Sequence, residues 1–314
     1  MTATDFALFG RDLFGDMVIP KANGPLQERF TFPPFSVMDA KQGEWQTRKR
    51  HWLALGIQGE VGRAEELTYT GAAASLDFYR DKEGTRNQTD ISGTSIFDPT
   101  LTELAYRWWA PSGGQILDPF AGGSVRGIVA GSLGYDYYGI DLRPEQIAAN
   151  YEQAATIRPA VQPVWVAGDS IDMLDDVPDA DFIFSCPPYG DLERYSDDPA
   201  DLSTMEWHTF SAAYRRIIHK CAKALKPNRF ACFVVANFRD KKGHYRDLVG
   251  ETVRSFEESG LHYYNEAVLL TSIGSAAMRA TKQFDGGRKL CKTHQNVLVF
   301  VNGDWRIAAK AVTS

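Results

Sequence analysis

From Ile96 onward, short β-branched or aromatic runs alternate with helical runs, and this alternation leaves few folds open to the chain. Phe97-Asp98-Pro99 followed by LTELAYRWW reads as a capped helix, with Asp98 as N-cap and Pro99 at the first helical position. QILDPF is a buried strand, VRGIVAGSLG a helix that stops at Gly134, DYYGIDL a strand, PEQIAANYEQAAT a helix, and PVWVAGD and DADFIFS two further strands. A long helix over 206–225, a strand over 230–237, a helix over 245–259 and strands near 264–273 and 296–301 complete the series. Strands and helices at this spacing predict a doubly wound, mainly parallel sheet of about seven strands. Residues 1–95 follow another rule. They form an irregular N-terminal extension rich in Gly, Pro and polar residues, with one dense patch, PPFSVMDAKQGEWQTRKRHWLALGI.

At 314 residues with 44% hydrophobic and 24% charged content, the chain can bury a sizeable core. The N-terminus lacks a basic start and a continuous apolar stretch, and no run nears the roughly 18 apolar residues of a membrane span, so a soluble, cytoplasmic protein is expected. The four cysteines, Cys186, Cys221, Cys232 and Cys291, form no CxxC pair, so neither a metal site nor a disulfide framework is expected. Three of them read as core residues and Cys186 does not. The net charge of −6 hides an asymmetry: residues 169–206 are strongly acidic with Arg194 as their sole base, whereas 215–246 carry ten Lys and Arg against Asp240 alone. A second basic stretch runs over 279–292. Such stretches are either solvated helix faces or a phosphate-facing surface, and the sequence cannot superpose them.

In a doubly wound sheet ligands sit outside the carboxyl ends of the strands, so those ends carry the functional reading. The first strand ends in Asp118-Pro119-Phe120-Ala121-Gly122-Gly123-Ser124, where the glycines permit a tight turn and a close backbone approach. The second ends in Ile140-Asp141-Leu142, an acid about twenty residues on, placed to accept from ribose hydroxyls. The third ends in Gly168-Asp169-Ser170, within reach of an adenine amino group. A glycine turn and two acids at three successive strand ends point to a nucleoside cofactor. The window Gly122 to Gly127 lacks the middle glycine of G-x-G-x-x-G, which argues against a dinucleotide. The fourth strand ends in Ser185-Cys186-Pro187-Pro188-Tyr189, where two prolines make a stiff, strand-ending mount.

Taken together, FDPTLTELAYRWW, ILDPFAGGS, GID, AGDS and SCPPYGD resemble the S-adenosylmethionine-dependent DNA methyltransferases that modify exocyclic amino groups, adenine N6 or cytosine N4. The likeness to the family runs from about Ile96 to Val301 and includes HQNVLVF, and the whole chain, including PFSVMDAKQGEWQTRKRHW, is most similar to the DNA methylases of bacteriophage genomes. It implies a Rossmann-like class I methyltransferase domain over 96–314, S-adenosylmethionine as cofactor and DNA as partner. It implies a cofactor site of Asp118, Phe120, Ala121, Gly122, Gly123, Ser124, Asp141, Leu142, Asp169 and Ser170, with Asp118 among the residues at the methionine end. The catalytic loop is implied to be Ser185, Cys186, Pro187, Pro188 and Tyr189, with Tyr189 stacking on a base flipped out of the helix.

Two positions depart from the family pattern. Ser124 replaces the last glycine of the turn. Cys186 stands where the family has Asp, Asn or Ser, and a thiol is a weak acceptor, so Ser185 or its carbonyl is the substitute for aligning the amine. The alternative is carbon-5 methylation of a pyrimidine with Cys186 as nucleophile and Asp191 or Glu193 as acid. An RNA guanine amino-methyltransferase and an inactive DNA-binding module are further readings. DNA contacts are expected from Gln46, Arg48, Lys49, Arg50 and Trp52, from Lys241 and Lys242, and from Arg279 and Arg288. The first of these clusters reads equally as a helix packing Trp52 inward.

Overall fold

The structure is a computed structural model describing residues 25–58, 96–190, 198–271 and 276–313. Among these, the elements in chain order begin with α1 (Pro25–Phe30), β1 (Val37–Asp39), α2 (Gly43–Ala54), α3 (Pro99–Trp109), β2 (Gln115–Asp118), α4 (Val125–Ser132) and β3 (Asp136–Asp141). There follow α5 (Pro144–Ile157), β4 (Val164–Ala167), α6 (Ser170–Met173), β5 (Ala180–Ser185), α7 (Trp207–Ala224) and β6 (Leu225–Val235). The last are β7 (Phe238–Arg239), β8 (Tyr245–Arg246), α8 (Leu248–Glu258), β9 (His262–Leu270), α9 (Ala276–Gly287), β10 (His294–Asn302) and α10 (Trp305–Thr313). No described helix is long and apolar enough to cross a membrane.

The main sheet has eight strands in the order β1-β9-β10-β6-β5-β2-β3-β4. Only β10 runs antiparallel to its neighbours; every other adjacent pair is parallel. From β2 the chain winds outward through β3 and β4, then returns to β5 on the other side and winds away through β6. Strand order therefore reverses between β2 and β5, which opens a crevice at their carboxyl ends. This is the Rossmann-like class I methyltransferase fold that the sequence implied. It has one strand more than expected, because β1 adds to the edge by pairing with β9. The hairpin β7–β8 replaces the start of the helix expected at Tyr245.

Side-chain alternation along the strands fills both faces of the sheet. Phe182 and Phe184 of β5 point to one layer, where they meet Tyr106 of α3 edge-on, while Ile183 points to the other, with Phe210 and Tyr214 of α7. Asp98 caps α3 as read, accepting from Thr100 N at 2.9 Å and Leu101 N at 3.2 Å.

Where it is described, the extension expected over 1–95 carries α1, β1 and α2. Trp45 and Trp52 lie on one face of α2 and are buried in the same core as α3. Both tryptophan side chains find polar partners: Trp45 donates to Asp98 at 3.1 Å and Trp52 to Glu103 at 2.8 Å. Glu103, fully buried in α3, also accepts from Arg48 at 2.6 Å and from Arg107 at 2.8 Å. These cations hold its carboxyl down at about 2 although burial pushes the other way. The buried clasp fixes α2 to the sheet's flank. Arg48, read as a DNA contact, is thereby committed to the core.

Candidate active site

The carboxyl ends of β2 to β6 open into a cavity of about 780 Å³, within the ~300–1,000 Å³ range of small-molecule sites. Its walls include Phe120, Gly122 and Gly123 after β2, Asp141 and Leu142 after β3, Gly168, Asp169 and Ser170 after β4, and Cys186, Pro187, Pro188 and Tyr189 after β5. Four strand ends singled out separately in the sequence thus surround one space.

Asp118, Ala121, Ser124 and Ser185 do not line it, and this corrects their assignment. Asp118 is fully buried behind the wall, where it accepts from Arg126 Nε at 2.5 Å, Ser185 Oγ at 2.6 Å, Tyr137 Oη at 2.8 Å and Phe120 N at 3.2 Å. A carboxylate with two oxygens and four donors has nothing left for a ligand. It ties the ends of β2 and β5 to α4, while Arg126 Nη2 holds the carbonyls of Phe120 and Ala121. Ser185 is fully buried against Asp118, away from the cavity, so its hydroxyl is not the substitute for a family acid at Cys186. Ser124 instead donates to Gln153 at 3.0 Å.

The glycine turn is built for approach. Gly122 has φ of +51°, a region L side chains rarely adopt, and its N–H donates to Asp141 Oδ2 at 3.0 Å. The other Asp141 oxygen accepts from Arg143 N at 2.9 Å, and burial raises this carboxyl above its usual range. Asp169 uses one oxygen to cap α6 through Ile171 N at 2.8 Å. Ser170 Oγ donates to Pro119 O at 2.5 Å, tying the turn after β2 to the one after β4.

The proline loop is clamped from two sides. Tyr189 Oη accepts from Gln295 Nε2 of β10 at 2.6 Å and lies 3.7 Å from Cys186 Sγ. Gly190 has φ of +53°, and a Cβ there would meet the Phe238 ring at 2.7 Å, so the loop rests directly on β7. Gln295 was visible in the sequence only as part of HQNVLVF. Arg126 carried no signal at all, since it reads as an ordinary helix residue.

Of the basic residues, Lys49 and Arg279 line the cavity, together with Arg239, Tyr245, Gln283, Lys292 and Gln295. Arg50 lies along its own helix, bonding Gln46 O and Thr47 Oγ1. Trp52 is core. Lys241 and Lys242 are exposed at the turn of β7–β8, and Arg288 is exposed just beyond α9. The two basic stretches that the sequence could not superpose meet here. Gly243, at φ +89°, has the Lys289 ammonium lying where its Cβ would be. Cys221 and Cys232 are buried as expected, but Cys291 is not core: it lines the cavity and donates to Gln283 at 3.1 Å.

No protein-family model matches this sequence, and no curated protein sequence does. Solved structures of low identity resemble it over part of its length. TrmN from Thermus thermophilus is 16% identical with a TM-score of 0.45, over 66% of this chain and 49% of TrmN, so the chain spans about half of that protein. A TehB-like SAM-dependent methyltransferase from Corynebacterium glutamicum is 20% identical with a TM-score of 0.42, over 67% and 90% of the two chains. A putative sarcosine dimethylglycine methyltransferase from Galdieria sulphuraria is 16% identical with a TM-score of 0.46, over 75% and 99%. Similarity this low carries nothing about cofactor or substrate, which rest on this chain's own residues.

Proposed function

We propose that this chain is an S-adenosylmethionine-dependent methyltransferase acting on an exocyclic amino group, adenine N6 or cytosine N4, of a DNA base. The observation that carries the reading is the placement of the Cys186-Pro187-Pro188-Tyr189 loop and the Gly122-Gly123 turn on one cavity, with Asp141 and Asp169 beside them. The donor set fits the cofactor. Each Asp141 oxygen keeps a lone pair for a ribose hydroxyl after its backbone bond, and Asp169 keeps one oxygen for an adenine amino group. When bound, the cofactor supplies a methyl on a sulfonium.

The chain's own part is positioning. Tyr189, pinned through its hydroxyl, offers a ring face for a flipped base, and the prolines keep that ring from shifting. With Cys186 a weak acceptor and the Ser185 hydroxyl buried behind the cavity wall, a loop carbonyl is left to receive a hydrogen of the target amine. A bound cofactor would supply the methyl for the new N–C bond, and the carbonyl would hold the amine in line until its surplus proton leaves to water. The basic rim of Lys241, Lys242, Arg288 and Lys289 beside the cavity supports a phosphate-bearing partner.

The carbon-5 reading has one favouring observation: Cys186 lines the cavity beside the glycine turn. Asp191 and Glu193, its suggested acids, lie outside the described residues. Comparing Cys186→Ser with Cys186→Ala, by nucleoside mass spectrometry of treated DNA, decides the matter. Amine chemistry predicts that the serine variant keeps or gains methyl transfer; loss of all transfer in both variants assigns Cys186 as nucleophile. An unmodified product with wild-type protein identifies a binding module, and transfer to tRNA but not DNA moves the substrate to RNA.

The rim is tested separately. Lys241→Glu combined with Lys242→Glu should lower the slope of log K against log salt for duplex DNA by about 2, one counterion for each lost phosphate contact. An unchanged slope removes the hairpin from the DNA surface.

A further inference from the structure

Resting on the cofactor reading above, the geometry points to Lys49 as the binding residue for the carboxylate at the amino-acid end of S-adenosylmethionine. Burial of Asp118 leaves that end of the cofactor without the partner the sequence had suggested. The wall next to the glycine turn instead carries Gln46 and Lys49 of α2 with Phe97, Asp98 and Leu101 at the start of α3. A chain of contacts places this group. The Phe97 ring lies 4.5 Å from the Arg126 guanidinium carbon, and Arg126 holds the carbonyls of Phe120 and Ala121 in the turn.

Among the described residues three cations line this part of the cavity, and two are already committed. Arg126 pairs with Asp118 at 2.5 Å and with two carbonyls. Arg143 sits on the ribose acid, 3.9 Å from Asp141, and donates to Gln146 Oε1 at 2.9 Å. Lys49 makes one ion pair, 3.5 Å to Asp98 Oδ2, and an ammonium has three donors. Its side chain is 27% exposed, so its charge is not paid for elsewhere in the core and can turn to a ligand. The Lys49 ammonium on the cavity wall is complementary to a ligand carboxylate, while Asp98, with Thr100 N and Leu101 N on one oxygen and Trp45 Nε1 and Lys49 on the other, holds the lysine in place. This contact draws α2, which precedes the domain expected over 96–314, into the cofactor site.

Calorimetry with two ligands tests this, S-adenosylmethionine and 5′-methylthioadenosine, which keeps the nucleoside and thioether but lacks the amino-acid end. Lys49→Met should bind S-adenosylmethionine about tenfold to a hundredfold more weakly, the scale of a lost hydrogen bond to a charged group. It should bind methylthioadenosine and duplex DNA as the wild type does, and Lys49→Arg should recover most of the loss. Equal weakening toward both ligands, or toward neither, overturns the assignment. A loss confined to DNA overturns it as well and returns Lys49 to the nucleic-acid surface. Wild-type protein that binds neither ligand overturns the cofactor reading itself, an outcome distinct from the others because it appears without any substitution.

Discussion

Replacing Glu103 with alanine is expected to lower the free energy of unfolding by about 3–5 kcal/mol, the usual cost of removing one member of a buried charge cluster. Glu103 is inaccessible to solvent and receives Arg48, Arg107 and Trp52, so its loss strands two cations and an indole donor. Arg48 and Arg107 retain 15% and 28% side-chain exposure, which lets water relieve part of the damage and favours the lower end of the range. The same carboxylate gives a pH signature. Its folded pKa of about 2 lies below the ordinary 4.5, so its contribution is fully present above about pH 5 and drains away as pH falls toward 2. Urea midpoints measured across that window should fall less steeply in Glu103→Ala than in the wild type. Identical slopes would remove Glu103 from the acid response.

Asp118→Asn should cost a similar ~3–5 kcal/mol, because the Arg126 side chain it neutralises is only 5% exposed and has no route to water. This substitution also reaches the site. Asp118 holds Ser185, next to the proline loop, and through Arg126 the carbonyls of the glycine turn, so cofactor affinity should fall along with stability. A double substitution, Asp118→Leu with Arg126→Met, separates charge from shape. It should recover part of the stability, since no charge is left unpaired, but not all, since Tyr137 and Ser185 lose their acceptor. A double variant no more stable than Asp118→Asn would show that the ion pair is not the main contribution.

Alternation of strands and helices made the sheet legible, and the strand ends made most of the cavity wall legible. What escaped did so for physical reasons. Sequence position at a strand end does not say which way a side chain turns, and Asp118 turns inward while Asp141 turns to the cavity. Arg48, Lys49 and Arg50 are adjacent in sequence, but successive residues on a helix point about 100° apart. One cluster therefore splits into a core ion pair, a cavity residue and a surface residue. Three-residue β1 and the two-residue strands of β7–β8 are too short to show a period. The meeting of Gly243 with Lys289 depends on how a hairpin and a helix end fold together, which no local pattern carries.

The edge strand β1 also sets an order of events during synthesis. Val37 pairs with Val268, so the segment bearing Trp45 and Trp52 emerges long before the strand that completes its place in the sheet. At elongation rates of about 5–20 residues per second, that delay is roughly ten to fifty seconds. During it two large indoles have no finished core to enter, and the late, sequence-distant pairing makes closure slow. Newly made chains should therefore depend on protection from aggregation up to the moment β9 leaves the ribosome.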